Sequence, residues 1–233
     1  MNFQMGAARA ITVLDEVFRP FALRRARIDA ARVWAEIQPA LVLSGGPTPS
    51  NRMARFARNI LAAGFSPPVR YLEIGAFEGS SLAFVHALLK GKVAATAIDP
   101  FANYGELPSV DMSSVEDRFT RNMRSIGAEV RTLRGTSIEF LPKLIAAGEK
   151  FDLIFIDGSH SSLDVMTDAT LSWQLLAERG LLIFDDYRFR KRENGRVFEC
   201  KPAIDAFVQM IGREVEIVDV AAQVFIRRRV VNM

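Results

Sequence analysis

With 49% hydrophobic and 24% charged side chains over 233 residues, the chain has a folded globular composition, which excludes a disordered or fibrous protein. This length fits one α/β domain with an N-terminal extension. The net charge of +3 sits in local clusters, Arg24-Arg25-Ala26-Arg27, Arg188 to Arg192 and Arg227-Arg228-Arg229, without interleaved aromatics or a nucleic-acid module. That pattern disfavours nucleic acid as a partner and stays compatible with an anionic substrate. Cys200 is the single cysteine, so no internal disulfide forms, and it reads as a small, partly buried apolar residue. No long apolar run opens the chain, and Asp15, Glu16, Asp29 and Glu36 argue against a targeting peptide, so a cytoplasmic protein with no membrane partner is expected.

Residues 7–63 read as helical, with apolar positions at helical spacing in Ile11, Leu14, Val17 and Phe18 and again in Ile28, Ala31, Val33, Trp34 and Ile37. The run from Ser44 to Asn51, rich in glycine and proline, predicts a loop, and Ser66-Pro67-Pro68 ends the next helix. From there strands alternate with helices, which predicts a mostly parallel sheet covered on both faces. The expected boundary divides a helical extension or lid, 1–66, from a core of 67–233. Strands are predicted at 69–74, 93–98, 129–134, 151–156 and 180–184, with helices at 80–90, 113–126, 137–147, 161–178 and 202–211. Glu214 to Val218 and Gln223 to Arg227 are too close for a helical crossover and are expected to pair antiparallel, completing a seven-stranded Rossmann-like α/β sheet. Segments 101–112 and 187–200 carry no readable pattern, and their length predicts mobile lids.

In such a sheet ligands bind beyond the carboxyl ends of the strands, near the reversal in strand order. The first strand leads into Glu73-Ile74-Gly75-Ala76-Phe77-Glu78-Gly79-Ser80-Ser81, where glycines let the backbone turn tightly and approach a ligand before a helix begins. Phe77 stands where a dinucleotide-binding loop needs a second glycine, which disfavours NAD. S-Adenosylmethionine, with an amino-acid end and no phosphate, tolerates the acid at Glu73. Alone, the loop also reads as a plain strand-to-helix turn. Asp99 ends the second strand 24 residues after Gly75, where it can accept hydrogen bonds from both ribose hydroxyls; capping the turn at Pro100 is the structural alternative. Gly135-Thr136-Ser137 follows the third strand at the expected adenine edge, and Thr136 with Glu139 also forms a capping box.

The fourth strand delivers Asp157 and, three residues later, His160; the fifth delivers Asp185 and Asp186. Three acids and one imidazole then converge beside the glycine loop, a hard-oxygen set suited to Mg²⁺ or Mn²⁺. The blander readings make one of Asp185 and Asp186 a loop cap and His160 an ordinary loop residue. Asp164 reads as a helix N-terminal acid, and Asp168 and Trp173 as helix packing or surface residues.

Tyr71 to Gly79, Ala97-Ile98-Asp99-Pro100, Phe151 to His160, Phe184-Asp185-Asp186-Tyr187 and Lys201 to Phe207 together resemble the Mg²⁺-dependent macrocin-type and mycinamicin-type sugar O-methyltransferases of the class I methyltransferase superfamily. The resemblance spans about residues 69–210 and leaves 1–68 unmatched. It implies that Asp157, Asp185 and Asp186 hold the metal and that His160 deprotonates an acceptor hydroxyl. The cofactor contacts expected are Glu73, Gly75, Ala76, Gly79, Ser80, Ser81, Asp99, Gly135, Thr136, Ser137 and Asp157. The expected activity is methyl transfer to a hydroxyl on a small molecule, of sugar or natural-product type; homo-oligomerisation stays open. The alternatives are a metal-independent or RNA methyltransferase, which the acidic cluster disfavours, and a non-catalytic cofactor-binding protein, which the intact His160 and three acids disfavour.

Overall fold

The computed structural model describes residues 13–44, 50–102, 111–193 and 195–229. The expected helix start at 7–12, most of the 44–51 loop and most of the 101–112 segment lie outside them. Two helices, α1 (Val13–Ile37) and α2 (Ser50–Ala62), precede the alternation β1 (Val69–Ile74), α3 (Ser80–Leu88), β2 (Val93–Asp99), α4 (Val115–Ser125), β3 (Val130–Arg134), α5 (Ser137–Ala146), β4 (Phe151–Ile156), α6 (Ser162–Leu175) and β5 (Leu176–Phe184). A short hairpin of β6 (Arg190–Glu193) and β7 (Arg196–Glu199) follows, then α7 (Lys201–Ile211), β8 (Val215–Val220) and β9 (Val224–Arg228). The seven-stranded sheet runs β3-β2-β1-β4-β5-β9-β8, parallel except that β9 is antiparallel to both β5 and β8.

The central strands are near-continuous apolar runs because both their faces are covered. Alternate side chains leave for opposite layers. Tyr71, Leu153 and Phe155 join one apolar cluster with Phe56 and Ile60 of α2, Phe84 of α3 and Phe119 of α4. Leu72, Ile154 and Ile156 join the other with Leu141 of α5, Trp173 of α6 and Phe207 of α7. The N-terminal helices thus contribute directly to one of the two layers. No helix among the described residues is long and apolar enough to cross a membrane.

Two expectations need correction. Helix α6 stops at Leu175, short of the expected 178, because Leu176 already pairs with Phe151 as the start of β5. The 187–200 segment, expected as a patternless lid, contains an antiparallel hairpin with Arg190 opposite Glu199 and Glu193 opposite Arg196. Its sequence signal was Asn194-Gly195, a dipeptide that favours tight hairpin turns.

Ion pairs fix α2 to the antiparallel edge. A β-bulge between Ile217 and Asp219 re-aims Asp219 inward. Its carboxylate, 1% exposed, accepts hydrogen bonds from Arg55 at 2.8 Å, Arg58 at 2.7 Å and Asn59 at 3.1 Å. Burial works against this carboxylate, but Asn59 and the two arginines outweigh it and hold its pKa below the ordinary value. Asp219→Ala is expected to cost about 3 kcal/mol, the lower end for breaking a buried ion pair, because the arginines retain access to water. Denaturant titration checks this. Because the folded pKa is depressed, the wild-type advantage is complete above an unfolded carboxylate pKa of about 4 and is lost as pH falls through the folded value.

Candidate functional site

Strand order reverses at β1, whose neighbours are β2 on one side and β4 on the other. The backbone ladders run one residue past the strands: Gly75 donates to Ile98, Asp157 to Ile74, Asp185 to Ile156 and Gly135 to Asp99, all at 2.8–3.0 Å. Those bonds bring the loops after β1, β3, β4 and β5 to one level. Gly75 has φ +85°, and a Cβ there would collide with the Asp157 carbonyl. This glycine therefore allows two loops to touch at the switch point.

Glu73 is fully buried, with Tyr71 donating to Oε2 at 2.8 Å and Ser81 donating to Oε1. Burial raises its pKa to about 7, although both hydroxyls pull it back. Glu73 and the Ser81 hydroxyl thus brace the loop from beneath. Ala76 is 2% exposed and Ser80 opens α3. Gly79 has φ +79°, and a Cβ there would lie 2.6 Å from Met123 Cε and 3.0 Å from Phe119. A side chain at Gly79 would therefore clash with α4. Glu78 leaves the loop to accept from Arg118 and from the Ser44 backbone, and Asn122 bonds both Val42 and Glu78.

Asp99 accepts the Phe77 amide at 2.8 Å on one oxygen and the Phe101 amide at 2.6 Å on the other. Burial pushes its pKa up, against those amides and that of Ala76. The turn-capping role is therefore real, and three backbone amides on two oxygens leave one lone-pair site for a ligand. At α5, Glu139 accepts the Thr136 amide at 2.7 Å and its hydroxyl at 2.9 Å, as the capping box requires. Ser137 instead bonds Asp168, a buried carboxyl that desolvation raises to about 7.

Beyond β4 and β5, one ligand oxygen from each of Asp157, Asp185 and Asp186 lies within 4.8 Å of the others. Burial and the facing carboxylates of Asp185 and Asp186 push Asp157 well up. Asp185 is raised to about 6, chiefly by burial, with Arg52 opposing. Asp186 goes the other way: burial disfavours its charge, but His160 and Arg52 outweigh that and hold its pKa low. His160 Nε2 lies 2.9 Å from Asp186 Oδ2, and its ring packs on Phe189 of the hairpin segment at 4.2 Å between centroids. Asp164 is not in this cluster; it accepts from Ser159 at 2.8 Å in the first turn of α6. Cys200, 3% exposed, lines the small pocket beside these groups.

Arg52 of α2 was not singled out from the sequence. Its guanidinium donates to Asp185 Oδ2 at 3.1 Å and to Asp186 Oδ1. The available signal was the spacing of Arg52, Arg55 and Arg58, which places three guanidiniums along one helix stripe.

Residues 72–187 match the family model described as a methyltransferase domain. An O-methyltransferase of Aspergillus hancockii, hkm8, is 34% identical over 52% of this chain and 44% of its own length. The chain spans about half the length of the curated relatives it matches. Among solved structures, the O-methyltransferase TomG of Streptomyces achromogenes in complex with SAM superposes with a TM-score of 0.54 at 18% identity, over 88% of this chain and 89% of TomG. The mycinamycin-pathway methyltransferase MycE in complex with Mg, SAH and mycinamycin VI superposes with a TM-score of 0.59 at 15% identity, over 86% of this chain and 53% of MycE. At such identity these structures show a shared fold, a mostly parallel seven-stranded sheet flanked by helices.

The buried Glu73 generates a pH test. Its folded pKa lies above the unfolded one, so ionising it opposes folding; the wild type is unpenalised below about pH 4.5 and loses stability as pH rises towards 7. Glu73→Gln keeps partners for Tyr71 and Ser81 without the charge. Melting curves are expected to coincide at pH 4 and to favour the glutamine variant at pH 8.

Proposed function

We propose that this chain, whose residues 72–187 match the methyltransferase-domain family model, transfers the methyl group of S-adenosylmethionine to a hydroxyl of a small molecule in a site that uses Mg²⁺ or Mn²⁺. The observation that carries this reading is the convergence of Asp157, Asp185, Asp186 and His160 beyond the strand ends beside the glycine loop. The N-terminal extension contributes to this end of the sheet through Arg52 of α2 and through residues 42–44.

The residues fit both groups. Asp185 Oδ1 is buried with no hydrogen bond of normal geometry among the described residues, and the three carboxylates form a hard-oxygen set. Asp157, Asp185 and Asp186 would hold the cation, which when bound would supply a Lewis acid that makes the acceptor hydroxyl easier to deprotonate. The switch-point loops offer S-adenosylmethionine a cradle at Gly75–Gly79, the remaining lone-pair site of Asp99 for the ribose and the Gly135–Ser137 turn for the adenine. His160 takes the acceptor proton, and Asp186 steadies the resulting imidazolium through its contact with Nε2. Relatives support this reading: hkm8 is an O-methyltransferase, TomG was solved with SAM, and MycE with Mg and SAH.

EDTA is expected to abolish methyl transfer to an alcohol and Mg²⁺ to restore it, with little change in S-adenosylmethionine affinity by calorimetry. Asp186→Asn is expected to imitate chelation, since the amide keeps the shape and loses the charge. A rival reading, in which Arg52 is the permanent cation of a metal-independent enzyme, requires full turnover in EDTA. Separately, His160→Ala is expected to lower turnover by about 10²–10⁴-fold while cofactor binding holds. Near-normal turnover would return His160 to a structural role.

A further inference from the structure

We propose that Arg52 is an exchangeable counter-ion of the acidic cluster, which neutralises Asp185 and Asp186 while no divalent cation is bound and swings out when one enters, so that metal loading is coupled to the N-terminal helix α2. The proposal rests on the metal-site reading of Asp157, Asp185 and Asp186.

Three observations carry it. The first is which oxygens Arg52 takes. Asp186 Oδ2 faces His160, and Arg52 takes the other oxygen, Oδ1, together with Asp185 Oδ2. The guanidinium therefore sits on two of the three carboxylates that a shared ion would need. The second is what it leaves undone. Asp185 Oδ1 keeps no hydrogen bond of normal geometry, and Asp157 has no ion pair among the described residues. A planar guanidinium carries one charge and bonds through its fork. It cannot meet three converging carboxylates as a small doubly charged ion can. The third is that Arg52 is free to leave. Its side chain is 29% exposed, while α2 is held by the separate bonds of Arg55, Arg58 and Asn59 to buried Asp219. Release of Arg52 costs one ion-pair arrangement and leaves the helix docked.

The exchange is a competition between two cations for the same oxygens, so it is reciprocal. Removing the guanidinium strengthens metal binding, and binding metal exposes the guanidinium. Asp157 gains most from the exchange, because Arg52 acts on it only through space and makes its contacts with Asp185 and Asp186.

The test titrates Mn²⁺ into the full chain and follows the loss of the free-ion signal by electron paramagnetic resonance. Wild type, Arg52→Gln, Arg52→Lys and Asp186→Asn are compared. Arg52→Gln is expected to bind Mn²⁺ at least about tenfold more tightly than wild type, within the usual range of coupling between sites, and Arg52→Lys to stay nearer wild type because it keeps the charge. Asp186→Asn is expected to lose binding. Equal or weaker binding by a folded Arg52→Gln protein overturns the exchange and leaves the metal site standing. No binding by either wild type or Arg52→Gln overturns both. Binding by Arg52→Gln alone makes Arg52 a permanent counter-ion, which overturns the exchange and removes metal dependence from the native enzyme. A second measurement needs no variant: phenylglyoxal labelling of Arg52 in the wild type, read by mass spectrometry, is expected to accelerate when Mn²⁺ is added. An unchanged or slower rate also overturns the exchange.

Discussion

Carboxylates withdrawn from water must find positive or hydrogen-donating partners, and the way each acid at the carboxyl end of this sheet does so organises much of the molecule. Glu73 is braced by two hydroxyls and pushed towards neutrality. Asp99 takes backbone amides from the loops on either side of it, so one acid shapes both turns. Glu78 and Asp219 recruit arginines from α4 and α2. The group formed by Asp157, Asp185 and Asp186 is incompletely served, with Asp185 Oδ1 lacking a hydrogen bond of normal geometry. The pKa values of its members also diverge: burial and the neighbouring acids push Asp157 up, while His160 and Arg52 hold Asp186 down. Such divergence among touching acids is characteristic of sites poised to bind a cation or move a proton.

The N-terminal helices become part of the site through the same electrostatics. The stripe Arg52, Arg55 and Arg58 faces acids that β5 and β8 deliver, and two of its members serve anchorage while the first reaches the cluster. Residues 42–44 clasp Asn122 and Glu78 on the other flank of the glycine loop. The extension therefore touches the loop after β1 and the loop after β5. Those are the two places from which donor and acceptor would be gripped.

The chemistry divides along strand ends. Loops after β1, β2 and β3 offer turns, lone pairs and backbone, suited to holding a large ligand in position. Loops after β4 and β5 offer charge and an imidazole, suited to activating a small one. The hairpin β6–β7 borders the second half, because Phe189 just before it packs on His160. A basic hairpin beside the acidic cluster gives this end of the sheet a mixed electrostatic rim.

The sequence by itself determined the sheet. Apolar runs such as Phe151–Ile156 are buried on both faces wherever they fold, so strand positions, the alternation with helices and the antiparallel close were readable from periodicity and spacing. It also announced Asp157, His160, Asp185 and Asp186, because residues just past buried strands must emerge at the same edge. Other roles depended on contacts between distant segments. That Gly79 guards against Met123 and Phe119, that Ser81 turns to Glu73, and that a bulge turns Asp219 to α2 are facts of packing. Arg52 is the plainest case. Its partners lie 133 and 134 residues away, and a guanidinium on an amphipathic helix looks in sequence like any solvated charge until the fold places acids beneath it.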